Sequence, residues 1–130
     1  MRYLILIFLL VSCNNNQKAD QLYDKAMEKY LSQDSIGAIR DLNNAIELNP
    51  RFKKAFFRRG LAKAKLKDLR GAIADLSKAI EIDPNYAKAY FFRGAAKIDI
   101  GDKNGGCLDL SKAGELGRDS VYRDIRKYCN

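Results

Sequence analysis

The sequence contains no histidine and no tryptophan, and only two prolines among 130 residues. Without histidine there is no imidazole for acid–base catalysis, no Ser-His-Asp triad and no His-containing zinc site. Three cysteines alone are too few for a closed zinc site, which needs four ligands. Also missing are paired catalytic carboxylates at a recognisable spacing and a nucleophile with a base beside it. The glycine-rich stretch GDKNGG (101–106) lacks the Walker pattern and fits an inter-helix turn better. These absences argue against an enzyme, a metal site, a cofactor or a small-molecule substrate. The scarcity of proline and glycine, with 47% hydrophobic residues, describes a globular chain and not a disordered one.

Long hydrophobic runs are missing too. The longest, Tyr3 to Val11, has nine residues, whereas a membrane-spanning helix needs about 20. One basic residue, Arg2, precedes it, and Ser12 and Cys13 end it before Asn14-Asn15-Asn16-Gln17-Lys18. A short positive start, a brief apolar run and a small residue at its end describe a secretory signal. Leu10-Val11-Ser12-Cys13 resembles the bacterial lipobox. That resemblance implies a signal peptide over 1–12, diacylglyceration of Cys13 and a hydrated tether over 13–18. Acyl chains contribute about 0.8 kcal/mol per buried methylene, so two or three hold a small domain on a membrane. The implied address is the bacterial cell envelope, with the outer membrane as the expected membrane.

Self-similarity dominates the remainder. AIRDLNNAIELNP (38–50) and AIADLSKAIEIDP (72–84) agree at eight of thirteen positions, 34 residues apart. GCLDLSKAGELGR (106–118) is a weaker third copy at the same offset. AFFRRGLAKAKLKD (55–68) and AYFFRGAAKIDIGD (89–102) share seven positions, again 34 apart. Apolar residues recur at helical spacing within each unit, and Asp83-Pro84 closes one helix because proline disfavours helical geometry in the residue before it. The pattern predicts helix pairs near 19–32 and 35–48, 52–66 and 69–82, and 86–100 and 103–116, with a last helix near 119–128.

This 34-residue unit resembles the tetratricopeptide repeat, a helix-turn-helix module. The resemblance implies an all-α, right-handed α-solenoid of three units, 19–52, 53–86 and a degenerate 87–118, with a capping helix over 119–130. Small residues, Ala26, Gly60 and Gly94 facing Ala38, Ala72 and Gly106, would let paired helices nearly touch. Two departures stand out. Position 7 of each unit carries Lys25, Arg59 and Arg93 instead of leucine, and Arg118 replaces the closing proline of the third unit. That unit is expected to run on through Gly114 and Gly117 into the cap, with Val121, Tyr122, Ile125 and Tyr128 facing inward.

In this family the first helices of the units line a concave groove that holds peptides. The corresponding positions are Tyr23, Met27 and Tyr30, then Lys54, Phe57, Arg58, Leu61 and Lys65, then Lys88, Phe91, Phe92 and Ala95. Aromatic residues beside cations suit an extended acidic peptide. Between Arg51 and Arg70 nine basic residues meet one acidic residue, a local charge of +8 that equals the formal total for the chain. Such a stripe attracts anions. An acidic protein segment is the expected partner, with anionic lipid head groups as the alternative contact of an envelope assembly factor; nucleic acid is not expected. The lysine, asparagine and arginine clamp by which some relatives hold a terminal carboxylate is matched only at Lys88.

Cys107 begins one helix and Cys129 ends the cap. If those helices run antiparallel, the two are neighbours, and a disulfide is expected in an oxidising envelope. Asp34-Ser35-Ile36 and Asp119-Ser120-Val121 resemble an O-glycan acceptor triplet of exported Bacteroidetes proteins, but each also sits at a helix start, where Asp or Ser is an ordinary N-cap.

Overall fold

The computed structural model describes residues 1–129. It contains seven helices: α1 (Arg2–Leu31), α2 (Ser35–Leu48), α3 (Lys53–Lys65), α4 (Leu69–Ile82), α5 (Ala87–Asp99), α6 (Lys103–Glu115) and α7 (Val121–Tyr128). Among the described residues there is no strand. Each helix packs on its neighbours in sequence, and α3 also touches α5. Stability in such an array is a sum of unit and nearest-neighbour terms, which places the core between successive hairpins.

The hairpin turns repeat one chemistry. Asp34, Asp68 and Asp102 are the N-caps of α2, α4 and α6, and their carboxylates accept hydrogen bonds from the N–H groups of Gly37, Gly71 and Gly105 at 2.8, 3.0 and 2.9 Å. Each bond satisfies one of the donors a helix start leaves open. The residue immediately before each turn aspartate repeats a conformation as well: Gln33, Lys67 and Gly101 all have positive φ, 69°, 65° and 94°. A side chain in this left-handed conformation costs about 1–2 kcal/mol, which glycine avoids. Lys67→Gly should therefore raise stability by up to about 1 kcal/mol, measured by urea unfolding. A loss of stability would contradict this account of the turn.

Paired helices touch where the small residues meet. A Cβ on Gly94 would lie 2.8 Å from the carbonyl oxygen of Gly106, and one on Gly106 would lie 2.7 Å from that of Gly94. Larger residues fill the adjoining space. Phe56, Phe57, Leu76 and Ile80 form the central core, Leu42 with Ala26 and Ala55 the first, and Leu110 with Ala113 and Val121 the last.

Three expectations are corrected. Residues 13–18 are helical and α1 is continuous through them; with no proline or glycine in the segment, nothing stops the helix between its two halves. The third unit does not run on into the cap: α6 ends at Glu115, and Gly117 turns the chain at φ 91°. Finally, α7 buries Val121 and half-buries Ile125, whereas Tyr122 is 53% and Tyr128 40% exposed. A short helix resting on one neighbour covers a single i, i+4 stripe, and the tyrosines lie beside it.

The apolar run at the amino end takes no part in the core. Residues 3–11 are exposed throughout, and the first buried side chain is Ala19. Among the described residues no helix is long and apolar enough to cross a membrane.

Candidate peptide-binding groove

The groove residues stand on α1, α3 and α5, and their surroundings sort them into three groups. The first group is structural. Phe57 is only 4% exposed and lies in the central core, with Tyr86 and Phe92 rings at 5.1 and 5.7 Å. It supports the floor from beneath and is not itself a contact surface, a correction to the sequence reading. Tyr23 packs on Phe52, ring centroids 5.2 Å apart, and Met27 is half-buried in the same first cluster. These side chains are drawn inward by the next unit, which a single helix's pattern does not register.

The second group faces the cleft. Leu61 shares with Ala64, Leu76, Phe92 and Ala95 an apolar depression between α3 and α5, with Asp99 at its rim. A second cavity, about 260 Å³, continues it from Ala95 and Asp99 past Phe91 and Ile98 to Asp124 and Tyr128 of α7. Ile98, Asp99 and Asp124 were missed in the sequence, and Tyr128 was expected only as an inward-facing residue of the cap. The 34-residue offset could have found the α7 pair, since Val121 falls one period after Ala87 and α7 occupies the place of a fourth unit's first helix.

The third group is cationic. Lys54 and Lys88 are exposed, and Arg58 stands over the Phe57 ring with its guanidinium carbon 5.8 Å from the centroid. Among the described residues none of the three makes an ion pair. Lys65 is engaged: its Nζ donates to Gln33 Oε1 at 3.1 Å and lies 4.3 Å from the Tyr30 ring centroid, tying α3 to α1. Lys53 is engaged as well. Its Nζ donates to Asp83 Oδ2 at 2.6 Å, and this bond, with one from the Asn85 N–H, holds the Asp83 carboxyl below the usual carboxylate range.

Arg59 and Arg93, the departures at position 7, prove to be fully committed. Arg59 forks onto Asp75, Nε to Oδ2 at 2.9 Å and Nη2 to Oδ1 at 2.7 Å, while Lys63 reaches Oδ2 at 2.9 Å. Its remaining Nη1 donates to Asn43 Oδ1 of α2 at 2.8 Å. Arg93 repeats the arrangement with Asp109, Lys97 and Ser77 of α4. One arginine thus joins both helices of its own unit to the second helix of the unit before. Among the described residues no repeat unit stands before the first, and there the position holds exposed Lys25. Among the described residues Asp41 is paired with Lys29 alone, whose Nζ is 2.6 Å from Oδ2 in an orientation that pairs the charges without a well-aligned hydrogen bond.

Cys107 and Cys129 are joined as a disulfide with Cα atoms 5.7 Å apart, whereas Cys13 is a free, exposed thiol. The Asp34 carboxylate is occupied as an N-cap; Ser120, before α7, makes no such side-chain bond.

Residues 54–86, the second unit, match the tetratricopeptide repeat family profile. No curated protein matches the sequence. Solved structures share the fold. The first TPR of Spaghetti (RPAP3), bound to the HSP90 peptide SRMEEVD, superposes with a TM-score of 0.84 at 24% identity, over 88% of this chain and 92% of that one. The TPR2B domain of yeast Sti1 in its pHsp70 complex gives 0.78 at 28% identity, over 86% and 93%. The Arabidopsis OM64 TPR domain gives 0.81 at 24%, over 87% and 98%. The fold is an all-α tetratricopeptide-repeat solenoid.

Proposed function

We propose that this chain is a non-catalytic interaction scaffold that binds an extended acidic segment of a protein partner along α3 and α5, and that it is held at a bacterial membrane by acylated Cys13. The observation that carries the reading is the row Lys54, Arg58 and Lys88, without carboxylate partners among the described residues, beside a cleft floored by Leu61, Phe91 and Phe92. Cations left unpaired over an apolar floor favour an anionic chain with apolar side chains. Peptide complexes among structures of the same fold support a groove of this use. For the anchor, the support is that residues 1–12 contribute nothing to the core and that Cys13 stands exposed at the end of the apolar run.

A second reading has the basic stripe resting on anionic lipid. Arg51 and Arg70 are exposed beyond the groove and make no ion pair among the described residues, and polybasic surfaces gain about 1 kcal/mol per cation near such a membrane. One affinity capture from detergent-extracted cells separates these readings. Wild type should retain a discrete envelope protein; the triple reversal Lys54→Glu, Arg58→Glu, Lys88→Glu should lose it with helicity intact, and Cys13→Ala should leave the membrane fraction. Capture unchanged by the reversal would refute the groove, and retention of lipid alone would favour the stripe.

A further inference from the structure

Arg118 stands where the repeat ordinarily ends in proline, and its guanidinium carbon lies 4.2 Å from the centroid of the Phe91 ring and 5.9 Å from that of Phe92. Three other arginines, Arg58, Arg59 and Arg93, also lie over aromatic rings, those of Phe57, Phe56 and Tyr90, and the last two are saturated by an aspartate. Arg118 is not. Its Nε is buried without an acceptor, and among the described residues its side chain has neither a hydrogen bond nor an ion pair. A guanidinium carries five donors in a planar fork, and leaving a buried donor unmet is costly. Stacking on two rings fixes the plane of the fork and strips water from its faces, while the two Nη groups, unlike the buried Nε, stay open to an acceptor.

Phe91 and Phe92 are edge-to-face at 5.2 Å, Phe92 meets Phe57 at 5.7 Å, and Phe57 carries Arg58. Two guanidiniums without carboxylate partners therefore end one continuous aromatic ladder. Each step is under 6 Å, so an extended chain spans the ladder in at most about five residues.

We infer that Arg118 is a binding residue of the groove, a planar carboxylate anchor at its α6–α7 end that works with Arg58 to select an extended peptide bearing two acidic side chains within about five residues. This rests on the groove reading above and adds to it the residue that fixes where the peptide stops. A planar fork takes a carboxylate in two parallel hydrogen bonds, which a lysine ammonium does not reproduce.

The test uses the full chain in detergent and hexaglutamate as the probe, with hexaglutamine as the uncharged control. Fluorescence titration should show saturable, salt-dependent binding of hexaglutamate only. Arg118→Met, which keeps the stem on Phe91, should weaken it at least tenfold without lowering the melting temperature, and Arg118→Lys should fall between. In wild type the Arg118 Nε–H resonance should shift on titration, a readout that a purely structural role would not give. If the Lys54, Arg58, Lys88 reversal abolishes binding but Arg118→Met binds as wild type, or the Nε–H signal stays fixed, the anchor is overturned and the groove stands. If wild type fails to bind hexaglutamate, both fall together.

Discussion

Replacing Asp75 with alanine should destabilise the protein by about 3–5 kcal/mol, because it strands a buried guanidinium. The Asp75 side chain is 6% and that of Arg59 17% exposed, so water does not readily take the place of the lost carboxylate. Lys63, at 24%, reaches solvent more easily and adds less to the penalty. Whole-domain stabilities are about 5–15 kcal/mol, so the single variant should unfold at much lower urea. The double variant Arg59→Leu, Asp75→Leu should recover most of the loss. Buried ion pairs replaced by apolar residues of similar volume are often neutral or better, and the repeat ordinarily carries leucine at position 7. A double variant no more stable than Asp75→Ala would show that the arginine's bond to Asn43 of α2, and not its pairing with Asp75, holds the units in register.

Breaking the disulfide should have the next largest effect. Cys107 and Cys129 are 22 residues apart, and closing a loop of that size contributes about 3 kcal/mol in the chain-entropy view. The loss should be local in origin, since α7 contacts α6 and holds little else. Cys107→Ser with Cys129→Ser should lower the melting temperature by roughly 10 °C and speed hydrogen exchange in α6 and α7 first. Exchange in α1 to α4 should follow only on global unfolding. Titration of the full chain before acylation should find one reactive thiol, Cys13, and the acylated protein none; two further thiols in either form would exclude the pairing, as would a melting temperature indifferent to reductant.

Much of the architecture was legible because it is local and repeated. The spans expected at 35–48 and 69–82 coincide with α2 and α4, since an aspartate N-cap opens each and the helical stripe runs unbroken to the turn. The 34-residue offset also placed Gly60 and Gly94 against their partner helices. The groove was legible only as a set of positions. Lys54, Arg58 and Lys88 remain unpaired there, but Phe57 sank into the core and Lys65 bridged to Tyr30.

By itself, then, the sequence determined the unit, its period, its helix pairs and the small residues at their crossings, all properties that neighbours within one repeat enforce. What each charged or aromatic side chain does was decided by tertiary structure. Arg59 and Arg93 share position 7 of the repeat, but nothing at that position foretells what they meet, an aspartate sixteen residues on and a third helix behind it, whereas among the described residues Arg58 and Arg118 meet aromatic rings and no carboxylate. Pairing depends on which helices the solenoid brings within about 3 Å, a distance set by the packing of whole units and not by any stretch of chain within them.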